Sequence, residues 1–139
     1  MRHLGEIVSN QRPVTLPKTA RVSEACRQME RTRIGSVLVV DEDDALCGIF
    51  TGRDLVDRVI ERRKDAETTP LAEVMTERPI CMTPDESAIE ALRLMWDGGI
   101  HHLPVVNGER ILGVVAPRDF ASDENARLSD ERELWEHMR

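Results

Sequence analysis

Tyrosine is absent from this chain of 139 residues, and its other aromatics are two Phe and two Trp. So few rings cannot build a stacking platform for single-stranded nucleic acid. Positive charge is also in deficit. Lys and Arg number 19 against 26 Asp and Glu, a formal net charge of −7, which disfavours a phosphate-backbone binder. Cysteine is limited to Cys26, Cys47 and Cys81, an odd number with no close pair. That usage suits a reducing compartment in which thiols serve as small hydrophobes. No apolar run approaches a membrane span, and Met1-Arg2-His3-Leu4-Gly5-Glu6 lacks the apolar centre of a signal peptide. The chain is therefore expected to be soluble and cytoplasmic, with neither a membrane nor a nucleic-acid partner.

Catalytic signatures are missing too. Ser36 lies in Gly35-Ser36-Val37 rather than a Gly-x-Ser-x-Gly elbow, and no cysteine has a motif-supported histidine. Neither a phosphate loop for triphosphate transfer nor a dinucleotide-fold fingerprint occurs. His101 and His102 are adjacent, so on a strand they point to opposite faces and cannot chelate one ion together. The expectation is a protein that is not an enzyme, holds no metal and requires no cofactor.

What is present is an internal repeat. Hydrophobic residues at 40% and charged residues at 32% describe a globular chain of about one domain. Val14-Thr15-Leu16-Pro17 through Val39-Val40 aligns without a gap to Ile80-Cys81-Met82-Thr83 through Val105-Val106. Along it Glu24 meets Glu90, Ala25 meets Ala91, Met29 meets Met95 and Ile34 meets Ile100. After one lost residue, Gly48-Ile49-Phe50 meets Gly113-Val114-Val115 and Arg53-Asp54-Leu55 meets Arg118-Asp119-Phe120. Upstream, Leu4-Gly5-Glu6-Ile7 matches Leu71-Ala72-Glu73-Val74. Residues 1–67 form the first copy and 68–121 the second, followed by a charged tail over 122–139.

Each copy reads as the same string of elements. Val22, Ala25, Cys26 and Met29 recur as Ala88, Ala91, Leu92 and Met95, the stripe of a helix with one buried face, for which Thr19 and Asp85 are candidate N-caps. Strands follow at Val37–Val40 and Leu103–Val106, then polar turns over residues 41–44 and 107–109, then strands at Leu46–Phe50 and Ile111–Val115. A second helix begins near Gly52 or Pro117, with Leu55, Val56, Val59 and Ile60 as its expected buried face in the first copy. The charged stretch 61–67 is a solvated link. In the tail, Leu134, Trp135 and Met138 make a short apolar stripe that is expected to pack on its own domain.

This pair of β-α-β-β-α units resembles a CBS-domain pair, the regulatory module named for cystathionine β-synthase. The resemblance is carried by Leu71-Ala72-Glu73-Val74-Met75-Thr76, by Gly99-Ile100-His101-His102-Leu103-Pro104-Val105-Val106, and by Gly48-Ile49-Phe50-Thr51-Gly52-Arg53-Asp54, similar to the Gly-x-x-Thr/Ser-x-x-Asp signature. It implies an α+β fold of two pseudo-symmetric repeats packed through their sheets, with helices outside and two clefts between the copies. It also implies an adenosine-containing ligand (AMP, ADP, ATP, S-adenosylmethionine or NAD), a homodimer, and regulation of a separate, unidentified protein. Fold analogy alone does not establish the ligand.

The residues admit two readings. A carboxylate accepts only, so Asp54 suits a ribose diol; Thr51 can donate to a sugar or phosphate oxygen, Arg53 adds a cation, and a helix N-terminus favours phosphate. Equally, Thr51 as N-cap with Asp54 three residues on is a capping box. The second copy keeps Arg118 and Asp119 but has Ala116 where a hydroxyl is expected. By the resemblance Thr15, with counterpart Cys81, and His101, His102 and Pro104 join the ligand set. The alternative function is a ligand-free dimerisation or protein-interaction module.

Overall fold

The computed structural model describes residues 1–138, and they fall into two compact units, each with its own core. Residues 12–80 with 108–111 make one unit. Residues 1–11, 81–107 and the chain from Leu112 onward make the other. Each unit thus recruits the leading segment that precedes the other copy in sequence.

In the unit built on the first copy, β1 (Thr15–Pro17) runs parallel to β2 (Ser36–Val40), which pairs antiparallel with β3 (Leu46–Thr51). The two parallel strands need a crossover, and α2 (Val22–Thr32) supplies it. After β3 the chain enters α3 (Gly52–Asp54) and continues over Leu55–Ile60 with hydrogen bonds one residue longer than α-helical ones, as from Glu61 N–H to Val56 O. Helix α4 (Leu71–Val74) then leads into β4 (Thr76–Glu77), antiparallel on the free edge of β3. Side chains alternate across the sheet. Val37, Val39 and Phe50 point to the helices and, with Val22, Ala25, Val59, Leu71 and Val74, fill the core.

The unit built on the second copy repeats this plan with substitutions. Helix α1 (Leu4–Val8) takes the place of α4, and α5 (Ala88–Gly98) precedes the hairpin of β5 (Leu103–Asn107) and β6 (Arg110–Val115). The counterpart of β1 shrinks to one bridge, Met82 to Val105. A 3-10 turn, Pro117–Asp119, leads through extended Phe120 and Ala121 into α6 (Ser122–His137). Leu4, Val8, Leu92, Met95, Leu103, Val115, Phe120 and Leu128 form its core.

Docking of the leading segments follows one pattern in both units. The N–H groups of Leu71 and Ala72 donate to Ala20 O and Lys18 O, and those of Leu4 and Gly5 to Glu86 O and Pro84 O. Residues 18–19 and 84–85 stay in turns, closed by the Ala20 N–H on Pro17 O and the Glu86 N–H on Thr83 O, and Arg21 and Ser87 stay extended. The helices consequently begin after Arg21 and Ser87, not after Thr19 and Asp85. Ser87 caps α5 by accepting from the Glu90 N–H at 3.2 Å. Both helices end on a left-handed residue, Gly99 in one copy and Arg33 in the other, and only glycine takes that conformation without strain.

Two expected apolar faces lie elsewhere. The wider helical winding after Asp54 rotates Val56 and Ile60 outward, 55% and 62% exposed, while Val59 stays buried. Helix α6 packs through Leu128 and through ion pairs to α5, Arg93 with Glu131 and Arg132 with Asp97. Leu134, Trp135 and Met138 remain 62–69% exposed.

Where β4 closes the sheet edge in the first unit, a side chain does so in the second. The Gln11 carboxamide donates to Val114 O and accepts from Val114 N–H, both at 2.9 Å, imitating a strand neighbour. Gly113 makes room for it: a methyl there would lie 2.5 Å from Gln11 Oε1 and 2.9 Å from Val8 Cβ. The equivalent methyl at Gly48 would meet only the flexible Met75 thioether. Gly113→Ala is therefore expected to lower stability by about 1–3 kcal/mol and Gly48→Ala by clearly less. Urea midpoints measure both; equal losses would show that the Gln11 clip is not the constraint.

Candidate functional site

Strand register places four hydroxyls on one sheet face. Thr15 lies opposite Leu38, Leu38 opposite Ile49, and Ile49 opposite Thr76, so the four share a face; Ser36 opposite Thr51 extends it. The core residues Val37, Val39 and Phe50 occupy the other face. Ser36 is 6% exposed and its Oγ has no hydrogen-bond partner. A buried hydroxyl without a partner costs free energy.

Asp54 stands at the end of this face, on the first helical turn after β3. It is 6% exposed. Its Oδ2 accepts from the Thr51 N–H at 3.0 Å and the Thr51 hydroxyl at 3.2 Å. Its Oδ1 accepts from the Thr76 hydroxyl at 3.0 Å and faces Arg58 Nε at 3.6 Å. Arg58 also donates to Met75 O at 2.8 Å. Thr51 in turn accepts from the Asp54 N–H at 3.3 Å, completing the capping box. A carboxylate oxygen can accept about two hydrogen bonds; Oδ1 makes one, from Thr76, and its other side faces the Arg58 guanidinium. Arg53 points to solvent and pairs with Asp57 at 3.4 Å. Of the expected set, Thr51 and Asp54 are in direct contact, Thr15 shares their sheet face at the exposed edge strand, and Arg53 lies outside the cluster. Ser36, Arg58 and Thr76 were not foreseen as site residues.

The second copy offers a poorer version. His102 replaces Ser36, Ala116 replaces Thr51, and Cys81 replaces Thr15. Asp119 accepts from the Ala116 N–H at 2.7 Å, half of a capping box. Pro104 is buried within β5, and Arg118 is exposed on the 3-10 turn. His101 is exposed and His102 half-buried, both just ahead of β5 rather than on it. Burial first, then His101 and Arg118, pushes the His102 imidazole below its usual range, with Asp119 opposing. Desolvation likewise raises the thiols of Cys26, Cys47 and Cys81, which suits packing rather than nucleophilic work. Among the described residues no cluster has the donors for a metal ion, and no helix is long and apolar enough to cross a membrane.

A family model for the CBS domain matches the chain twice, over residues 4–61 and 71–123. The CBS domain-containing protein CBSCBSPB1 of Arabidopsis thaliana is 40% identical over 109 residues, 78% of this chain but 19% of that protein. The mitochondrial CBSX3 of the same plant is 32% identical over 102 residues, 70% of this chain and 50% of its own length. The chain thus spans about a fifth to a half of these relatives. Among solved structures, a protein with CBS domains from Burkholderia ambifaria has a TM-score of 0.78 at 28% identity, covering 84% of this chain and 89% of its own. The CBS domain protein PAE2072 of Pyrobaculum aerophilum, complexed with AMP, has a TM-score of 0.81 at 25% identity, covering 92% and 98%.

The His102 environment has a measurable consequence. Its folded-state pKa lies below that of the unfolded chain, so just below neutrality the unfolded state binds more protons. Stability should then fall with pH as it passes through about 6.5, the unfolded value. Between pH 7 and pH 5 the wild type is expected to lose more stability than His102→Gln, read from urea midpoints. Parallel losses would remove His102 from the account.

Proposed function

The chain belongs to the CBS-domain family as a tandem pair, a regulatory module, and we propose that it binds an adenosine-containing ligand at the Thr51–Asp54 turn and modulates a separate protein in the cytoplasm. The observation that carries this reading is the buried, unpartnered Ser36 hydroxyl at the strand position opposite Thr51, whose own hydroxyl donates to the buried Asp54 carboxylate. Asp54 supplies the acceptor for a ribose diol, Thr51 and Ser36 the neighbouring hydroxyls. The AMP complex of the Pyrobaculum protein, similar over 92% of this chain, supports the ligand class. AMP, ADP, ATP, S-adenosylmethionine and NAD share the adenosine that such a site would grip.

A module of this kind works only if the ligand prefers one of its shapes, since equal affinity for both shifts nothing. The first turn should be the stronger site, because it has a hydroxyl at Thr51 where the second has Ala116. A thermal-shift panel of those five compounds against buffer is expected to raise the melting temperature for at least one. Asp54→Ala should then weaken binding by up to about a hundredfold, an unpaired buried diol costing about 1–3 kcal/mol. Ser36→Ala should weaken binding without lowering stability, and Asp119→Ala should affect a weaker phase. If Asp119→Ala abolished binding and Asp54→Ala left it intact, the primary site would be misassigned.

A second reading is favoured by the exposed apolar residues. Val56 and Ile60 in one unit, and Leu134, Trp135 and Met138 in the other, offer surface for self-association. CBS-CP12 proteins of bloom-forming cyanobacteria, similar in fold, are hexameric. Here a homodimer is the proposed state. Light scattering at tens of micromolar is expected to give twice the chain mass, and Trp135→Glu or Val56→Glu to reduce it; a monomer would overturn the assignment.

A further inference from the structure

Comparison of the two units exposes one side chain that only the unit built on the second copy possesses. Thr69 and Arg2 hold equivalent places, the Thr69 carbonyl taking the Val22 N–H at 3.0 Å and the Arg2 carbonyl the Ala88 N–H at 2.9 Å. Beyond the backbone the two part company. Arg2 reaches the segment between the 3-10 turn and α6: its Nη2 donates to Asp119 O at 2.9 Å and to Glu124 Oε1 at 2.6 Å, and its Nε to Glu124 Oε2 at 3.2 Å. Glu124 is buried, and its Oε1 also accepts the Ala121 N–H that opens α6, at 2.8 Å. Arg2 holds the Glu124 carboxyl below its usual range. In the first copy the turn at Asp54 runs on into helix without a break. In the second, extended Phe120 and Ala121 interrupt it, and Arg2 spans the interruption.

We propose that Arg2 is a positioning residue for the Arg118–Asp119 turn and couples that turn to α6, so that a ligand held by Asp119 is read out on α6. The inference rests on the ligand-binding reading above. The Asp119 carboxylate is oriented by the Ala116 N–H at 2.7 Å, so a diol that it accepts loads the same turn whose Asp119 carbonyl Arg2 holds. Asp119 O and Glu124 are bound to the same guanidinium, whose planar fork transmits direction better than a point charge. Glu124 caps α6, and α6 bears Arg132, which pairs with Asp97 and lies 5.1 Å over the Trp96 ring. Trp135, the other tryptophan, is on α6 itself. Both are therefore built-in reporters of α6 against α5.

AMP is titrated to saturation, with affinity followed by calorimetry and α6 by tryptophan emission. In the wild type, AMP is expected to bind and to change the emission. In Arg2→Met, AMP should still bind at the Thr51–Asp54 turn, while the emission change falls several-fold. Arg2→Lys, which keeps the charge without the fork, should restore only part of it. Glu124→Gln, which retains the Ala121 cap, serves if Arg2→Met does not fold, and should also blunt the response. An undiminished response in the variants would overturn the coupling, as would a wild type whose Asp119-dependent binding phase brings no emission change; in both cases the ligand-binding reading would stand. A wild type that binds no member of the adenosine panel would bring down that reading and the coupling with it.

Discussion

A carboxylate buried at the end of a strand must find donors, and most of what is distinctive in the first unit follows from how Asp54 finds them. Thr51 supplies two from the turn itself, which ends β3 and starts the helix in one step. Thr76 supplies another from across the sheet edge, which ties β4 and the Met75–Thr76 peptide to the same point. Arg58 balances the charge and holds the Met75 carbonyl. A single group thereby joins strand, helix and the leading segment of the next copy. The bonds that start the helix also fix the direction of the carboxylate.

Duplication lets each structural device be judged against its twin. The docking of the leading segments is the same in both units, bond for bond, so it belongs to the architecture. The differences are where function has room to diverge. Hydroxyls at Thr15, Ser36 and Thr51 become Cys81, His102 and Ala116, which lie just outside the strands of the second unit. The edge strand β4 becomes a carboxamide clip at Gln11. A continuous helix after Asp54 becomes an interrupted one after Asp119, bridged by Arg2 and Glu124. The two halves are one fold with unequal chemistry.

Much of this was legible in the order of residues. The repeat, the helical stripes, both hairpins and the Thr51–Asp54 pair follow from local periodicity and from turn chemistry. These signals act within a few residues, and a sequence displays them directly. Helix starts were misplaced by two residues because Thr19 and Asp85 sit in closed turns whose carbonyls are taken by residues 71–72 and 4–5 respectively. No local propensity reports such a partner. The outward turn of Val56 and Ile60 came from a winding that three-dimensional packing selected, and the exposed end of α6 from a helix anchored chiefly by ion pairs and Leu128.

What the sequence by itself determined was the duplicated α+β plan and the type of side chain at each candidate position. Hydrophobic period and turn residues are local and survive without neighbours. What only the tertiary structure decided was company: that Asp54 meets Thr76 and Arg58, that Ser36 is sealed without a partner opposite Thr51, and that Arg2 closes on Asp119 and Glu124 from the far end of the chain. Contacts between residues so distant in sequence depend on strand register and on which unit each leading segment joins, and those are settled only when the whole core is packed.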